Sequence, residues 1–129
     1  MRRNLILDTC ALVWLVSGNK RLSDEAKREI EAAQVVYVSP ISAWEVSLKS
    51  ARGALELPLP PLEWFNRALE VHHLTLGDLS VEVLMRANEL PWHHRDPADR
   101  FIIATAKVDG LAIVTDDRQF RDYDVETFC

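Results

Sequence analysis

The chain has 129 residues, 48% hydrophobic and 27% charged, with a formal net charge of -5. These are the proportions of one globular domain over residues 1–129, large enough to bury a core, and they exclude a disordered or low-complexity chain. Two cysteines, Cys10 and Cys129, form no CxxC pair, which excludes a disulfide framework and a structural zinc site and agrees with a reducing compartment.

The opening MRRNLILD reaches an acid after too few apolar positions for a leader or a membrane span, so a cytoplasmic protein with no membrane contact is expected. NLIL reads as a buried strand that ends at Asp8, and TCALVWL as the start of an apolar helix. Asp8 has two readings there, as the cap of that helix or as a carboxylate at a strand's carboxyl end. Ser23, followed by Asp24 and Glu25, has the pattern of a helix N-terminus.

A second strand is expected over Val35 to Val38, and Ser39 before Pro40 marks the next helix. On that helix Ile41, Trp44, Leu48 and Ala51 form an apolar stripe, which sets Glu45 at the edge of the buried face. A surface glutamate would more often lie opposite the stripe. A proline-rich connection follows from about Gly53 to Pro61, and a short strand over Leu74 to Leu76.

Asp96 before Pro97 is the natural N-cap of the helix containing RFIIATAKVDG, and Asp99 takes its third position, pointing back towards the strand ends. Gly53 and Gly110 fall where helix C-termini would close. Leu111 to Val114 is a further buried strand, followed by Thr115, Asp116 and Asp117, and Val125 to Phe128 is a weaker one. Neighbours on an extended chain face opposite ways, so one of the two aspartates is expected to reach the crevice. The strand runs are almost wholly apolar and separated by helices, the pattern of an α/β fold on a parallel sheet.

In such folds the carboxyl ends of the strands line the functional crevice. Asp8, Glu45, Asp99 and Asp117 would meet there, and converging carboxylates call for a hard divalent cation to offset their repulsion. Lys49, Arg52, Lys107, Arg118 and Arg121 remain to contact phosphates, although the acidic balance counts against a broad nucleic-acid surface. The pairs His72, His73 and His93, His94 lack helical zinc spacing and read as solvated or capping residues, and Cys10 as a small buried thiol. Trp14, Leu15, Trp44 and Leu48 read equally as core or as a partner surface.

Taken together, LDTCALVWL, SAWEVSLK, HHRDPADRFIIATA and IVTDDRQF resemble the PIN-domain nucleases, and among them the VapC-type toxins of bacterial toxin-antitoxin systems. The resemblance spans almost the whole chain. It implies a three-layer α/β/α fold on a central parallel sheet, with Asp8, Glu45, Asp99 and Asp117 as catalytic and metal-binding acids and Asp96 as the extra acid before the third. Asp116, Thr9 and Thr115 would support them. It also implies one or two Mg²⁺ or Mn²⁺ ions, cleavage of RNA by activated water, a homodimer and a small cognate antitoxin. Two alternatives stay open: a catalytically silent RNA- or antitoxin-binding PIN domain, and a haloacid-dehalogenase-like phosphatase, whose DxD motif LDTC lacks.

Overall fold

In the computed structural model, which describes residues 3–129, the apolar runs form parallel strands and the capped segments form helices around them. The order is β1 (Asn4–Leu7), α1 (Thr9–Ser17), α2 (Asp24–Ala32), β2 (Val35–Val38), α3 (Pro40–Ala51), α4 (Pro61–Val71) and β3 (Thr75–Leu76). It continues with α5 (Val81–Glu89), α6 (Pro97–Asp109), β4 (Ala112–Val114), a 3-10 helix (Arg118–Tyr123) and β5 (Thr127–Phe128). The reading of the amino-terminal segment includes Met1 and Arg2, which lie outside the described residues.

The sheet order is β3-β2-β1-β4-β5, with every described pairing parallel. Alternate residues of the central strands feed opposite faces. Leu5, Leu7 and Val114 pack with Leu12, Val46 and Trp64 from α1, α3 and α4, whereas Ile6 and Ile113 pack with Val83, Ile102 and Phe120 from α5, α6 and the 3-10 helix. Two apolar layers thus sandwich the sheet, giving the three-layer α/β/α arrangement that explains why both faces of the strands are hydrophobic.

Two strands begin one residue later than the sequence suggests, for a reason shared by both. The N–H of Leu74 donates to Leu69 O and that of Leu111 to Ala106 O, both at 2.9 Å, so each leucine still closes the preceding helix. His73 (φ 53°) and Gly110 (φ 68°) make those closing turns. In β5 only Thr127 and Phe128 pair with β4, because the 3-10 helix and Asp124 carry the chain round until then.

The helix starts carry the side-chain caps that their sequences suggest, from Ser23 to Ala26 N, from Ser39 to Ile41 N and from Asp96 to Ala98 N. Helix α3 departs from expectation. Its buried residues are Ser42, Glu45 and Val46, while Trp44 is 56% exposed and Ile41 and Leu48 are only half-buried. Glu45 therefore lies within the buried face rather than at its edge.

Candidate metal centre

The register sets the site. Leu7 lies opposite Val38 on one side and Val114 on the other, so β2, β1 and β4 end at one level, and the residues after them surround a common cleft. Asp8 extends β1 by one hydrogen bond, from its N–H to Val114 O at 3.1 Å, before the chain turns into α1. The cleft, of about 270 Å³, is lined by Asp8, Thr9, Cys10, Trp14, Glu45, Lys49, Asp96, Asp99, Asp116 and Asp117.

Three of the carboxylates, Asp8, Glu45 and Asp117, are oriented by donors from the surrounding chain. One oxygen of Asp8 accepts the N–H of Ala11 at 2.8 Å and the other the hydroxyl of Thr115 at 2.5 Å, so Asp8 caps α1 and faces the cleft at once. Glu45 accepts the hydroxyl of Thr9 at 2.5 Å, and Thr9 lies 3.0 Å from the hydroxyl of Ser42. Asp117 caps the 3-10 helix through Gln119 N at 2.9 Å, and its own N–H donates to Thr115 at 3.1 Å. The two threonines are buried.

Burial pushes the Asp8 carboxyl up to about 6, against the lowering effect of its Thr115 and Ala11 donors, with Glu45 and Asp117 adding repulsion. Asp99 is pushed further, to about 8, first by burial and then by the charges of Asp96, Glu45, Asp8 and Asp117. Carboxyls crowded this closely in one cleft form a set of oxygen ligands, which suits a hard divalent cation. His94, Asp99 and Asp117 each offer a ligand atom within 4.8 Å of the others.

The sequence reads His94 as solvated or capping; it is half-buried, its Nδ1 accepts the N–H of Asp96, and it also reaches the acids of the cleft. Its Nε2 lies 2.9 Å from Asp99 Oδ2 and 3.0 Å from Asp117 Oδ2, while His93 stays exposed. Arg100 was missed too. Only 2% exposed, its guanidinium donates to the carbonyls of Ala87, Leu90, Pro91 and His94 and stacks under Trp92 at 3.6 Å, stapling the α5 to α6 loop beside the cleft. No spacing rule flags either residue, although an arginine inside an apolar helix run is a signal in principle.

The remaining candidates separate. Asp96 and Asp116 are exposed residues of the cleft wall, and Asp96 is the cap of α6. Lys49 lines the cleft, and Arg52 lines an adjoining groove of about 480 Å³ with Trp44, Leu48 and Phe101. Arg118 and Arg121 are exposed on the 3-10 helix. Lys107, expected to be free for phosphate, instead donates to Tyr123 O at 2.9 Å. Cys10 is exposed rather than buried; desolvation by the cleft wall and the nearby Asp8 charge raise its thiol pKa, the opposite of what a nucleophile needs. Trp14 and Leu15 pack half-buried against the core, so the apolar patch is divided between core and surface.

Comparison with known proteins bears on this arrangement. The chain is 34% identical over 120 residues to Ribonuclease VapC22 of Mycobacterium tuberculosis, covering 92% of this chain and 91% of that one. Its fold is similar to VapBC2 from Rickettsia felis bound to a promoter DNA fragment, with a TM-score of 0.71, 14% identity, and 98% and 99% of the two chains covered. It is also similar to a toxin-antitoxin complex from Klebsiella pneumoniae, with a TM-score of 0.67, 20% identity, and 97% and 96% covered. A family model described as PIN domain matches residues 5–126, and the chain belongs to that family.

Proposed function

We propose that the chain is a divalent-metal-dependent endoribonuclease and the toxin of a toxin-antitoxin pair. The observation that carries this reading is the convergence of Asp8, Glu45, Asp99 and Asp117, from four separate segments, on one cleft where two of the carboxyls resist ionisation. Asp8, Glu45, Asp99 and Asp117 would hold one or two Mg²⁺ or Mn²⁺ ions, with Asp96 and Asp116 at the rim. When bound, such an ion would supply an acidified water and positive charge beside the scissile phosphate.

The chain's own residues do the rest. Thr115 and the Ala11 N–H fix Asp8, and Thr9 fixes Glu45, so the acids are oriented before substrate arrives. One of the four acids would also take a proton from the attacking water. Lys49 in the cleft wall, with Arg52, Arg118 and Arg121 further out, would contact phosphates on either side of the scissile bond. No side chain is needed as nucleophile, in keeping with the raised thiol pKa of Cys10.

The similarity to Ribonuclease VapC22 and to solved toxin-antitoxin complexes supports the toxin role and an antitoxin partner, and a homodimer is proposed on the family resemblance alone. Among the described residues no helix is long and apolar enough to cross a membrane, and a cytoplasmic site of action fits an RNA substrate. The test is an RNA panel incubated with the purified protein in Mg²⁺, Mn²⁺ or EDTA, beside a growth assay on expression alone and with the adjacent gene. Cutting that persists in EDTA would end the metal reading. Metal-dependent cutting without growth arrest would make the chain an RNA-processing enzyme instead.

A further inference from the structure

His94 occupies the space between two of the proposed ligands, and its hydrogen bonds say in which form. Its Nδ1 accepts the N–H of Asp96 at 3.2 Å, and a ring nitrogen that accepts an N–H carries its lone pair there. The ring is therefore the neutral Nε2–H tautomer. Its single ring proton points at the pair of oxygens, Asp99 Oδ2 at 2.9 Å and Asp117 Oδ2 at 3.0 Å.

A cation shared by those oxygens would meet that N–H. For Nε2 to become a ligand the proton would have to pass to Nδ1, which would then confront the Asp96 N–H donor to donor. The other resolution is for the ring to leave. We infer that His94 is a positioning residue that stands in the cation's place: its Nε2–H holds Asp99 and Asp117 together in the cation-free protein, and its ring rotates away when a divalent ion binds.

The surroundings suit a side-chain rotation rather than an opening of the loop. The His94 N–H donates to the Tyr123 hydroxyl at 2.6 Å and its carbonyl accepts from Arg100 at 3.1 Å, and both of those partners are buried. Apart from the two carboxylates that a cation would take over, the ring has weaker anchors, an edge contact to Phe120 with centroids 5.9 Å apart and the Asp96 N–H. A hydrogen bond to a carboxylate is strong enough that surrendering it should weaken cation binding by about tenfold.

The inference rests on the metal reading above, and calorimetric titration with Mn²⁺ and Mg²⁺ at one pH separates the two. His94→Ala and His94→Asn should bind both ions about tenfold more tightly than the wild type, while melting at a lower temperature without metal. A merely structural residue would lower melting without tightening the ion. In the wild type, imidazole ¹⁵N correlations should report the Nε2–H tautomer before and after Mg²⁺ addition, with the ring signals displaced on binding; this reading holds even if the variants fold poorly. Weaker or unchanged ion binding by folded variants, or loss of the Nε2 proton on Mg²⁺ addition, overturns the inference and leaves the metal site standing. No ion binding by any of the proteins overturns both.

Discussion

Asp99 concentrates the electrostatic conflict of the cleft, since it sits in the first turn of α6 where the helix favours an anion while burial and four neighbouring carboxylates oppose one. Its carboxyl titrates near 8 in the folded protein against an ordinary value of 3.8, so between those limits the folded state binds a proton that the unfolded chain has released. The contribution of these two carboxyls to stability without metal is then fully present below the ordinary value, declines as pH rises, and is lost above about 8, with Asp8 contributing the part of the decline that ends near 6. Asp99→Asn in EDTA should flatten that decline and gain on the order of 1 kcal/mol at pH near 8, read from urea midpoints across the range. A decline equally steep in the variant would remove Asp99 as its source. Activity gives a second comparison, because Asp96 accepts Ala98 N–H at 3.0 Å and asparagine caps nearly as well. Asp96→Asn should keep RNA cleavage within about tenfold of wild type, whereas Asp99→Asn should reduce it by about a hundredfold or more. The reverse ranking, with both proteins folded, would exchange the roles assigned to cap and ligand.

At the scale of elements, the strands and caps are legible because they rest on local rules: a continuous apolar run has no amphipathic helix to form, and Ser23, Ser39 and Asp96 can satisfy helix N–H groups only from where they stand. The phase of α3 is not legible, for a reason tied to function. A helix that lines a polar cleft buries Ser42 and Glu45, and Trp44 is turned outward, so hydrophobic periodicity points the wrong way along the cleft wall. His94 is hidden because it lies in a loop, where spacing carries no information about direction, and Arg100 because its partners are backbone carbonyls that any sequence supplies. The loop depends on that arginine. Arg100→Ala would strand several buried carbonyls and remove the support of Trp92, and a loss of about 3 kcal/mol or more is expected. Arg100→Lys should recover little, since an ammonium cannot spread over four carbonyls as the planar guanidinium does. Thermal melting checks the energy, and hydrogen exchange should locate the loosening at residues 90–95. Full rescue by lysine would show that charge alone, rather than the fork of donors, secures the loop.

Across the whole molecule, a net charge of -5 limits how the proposed RNA substrate would be held. The acids gather at the carboxyl end of the sheet, and the cations offered to phosphate are few: Lys49 in the cleft wall, Arg52 in the adjoining groove, and Arg118 and Arg121 exposed on the 3-10 helix, with Lys107 already engaged by Tyr123. Single-stranded nucleic acid releases roughly 0.7 of a counterion for each phosphate neutralised. With these four contacts, the logarithm of RNA affinity in EDTA should fall with the logarithm of salt at a slope no steeper than about -3, and binding should be weak because the unneutralised carboxylates face the same strand. Removing Lys49 and Arg52 together should shallow the slope by about 1 to 2, as should removing Arg118 and Arg121. Anisotropy of a labelled RNA across a salt series measures all of this without cleavage, since metal is absent. A slope well beyond -3, or one indifferent to both double substitutions, would place the RNA on a different basic surface and detach the four residues from the substrate path proposed for them.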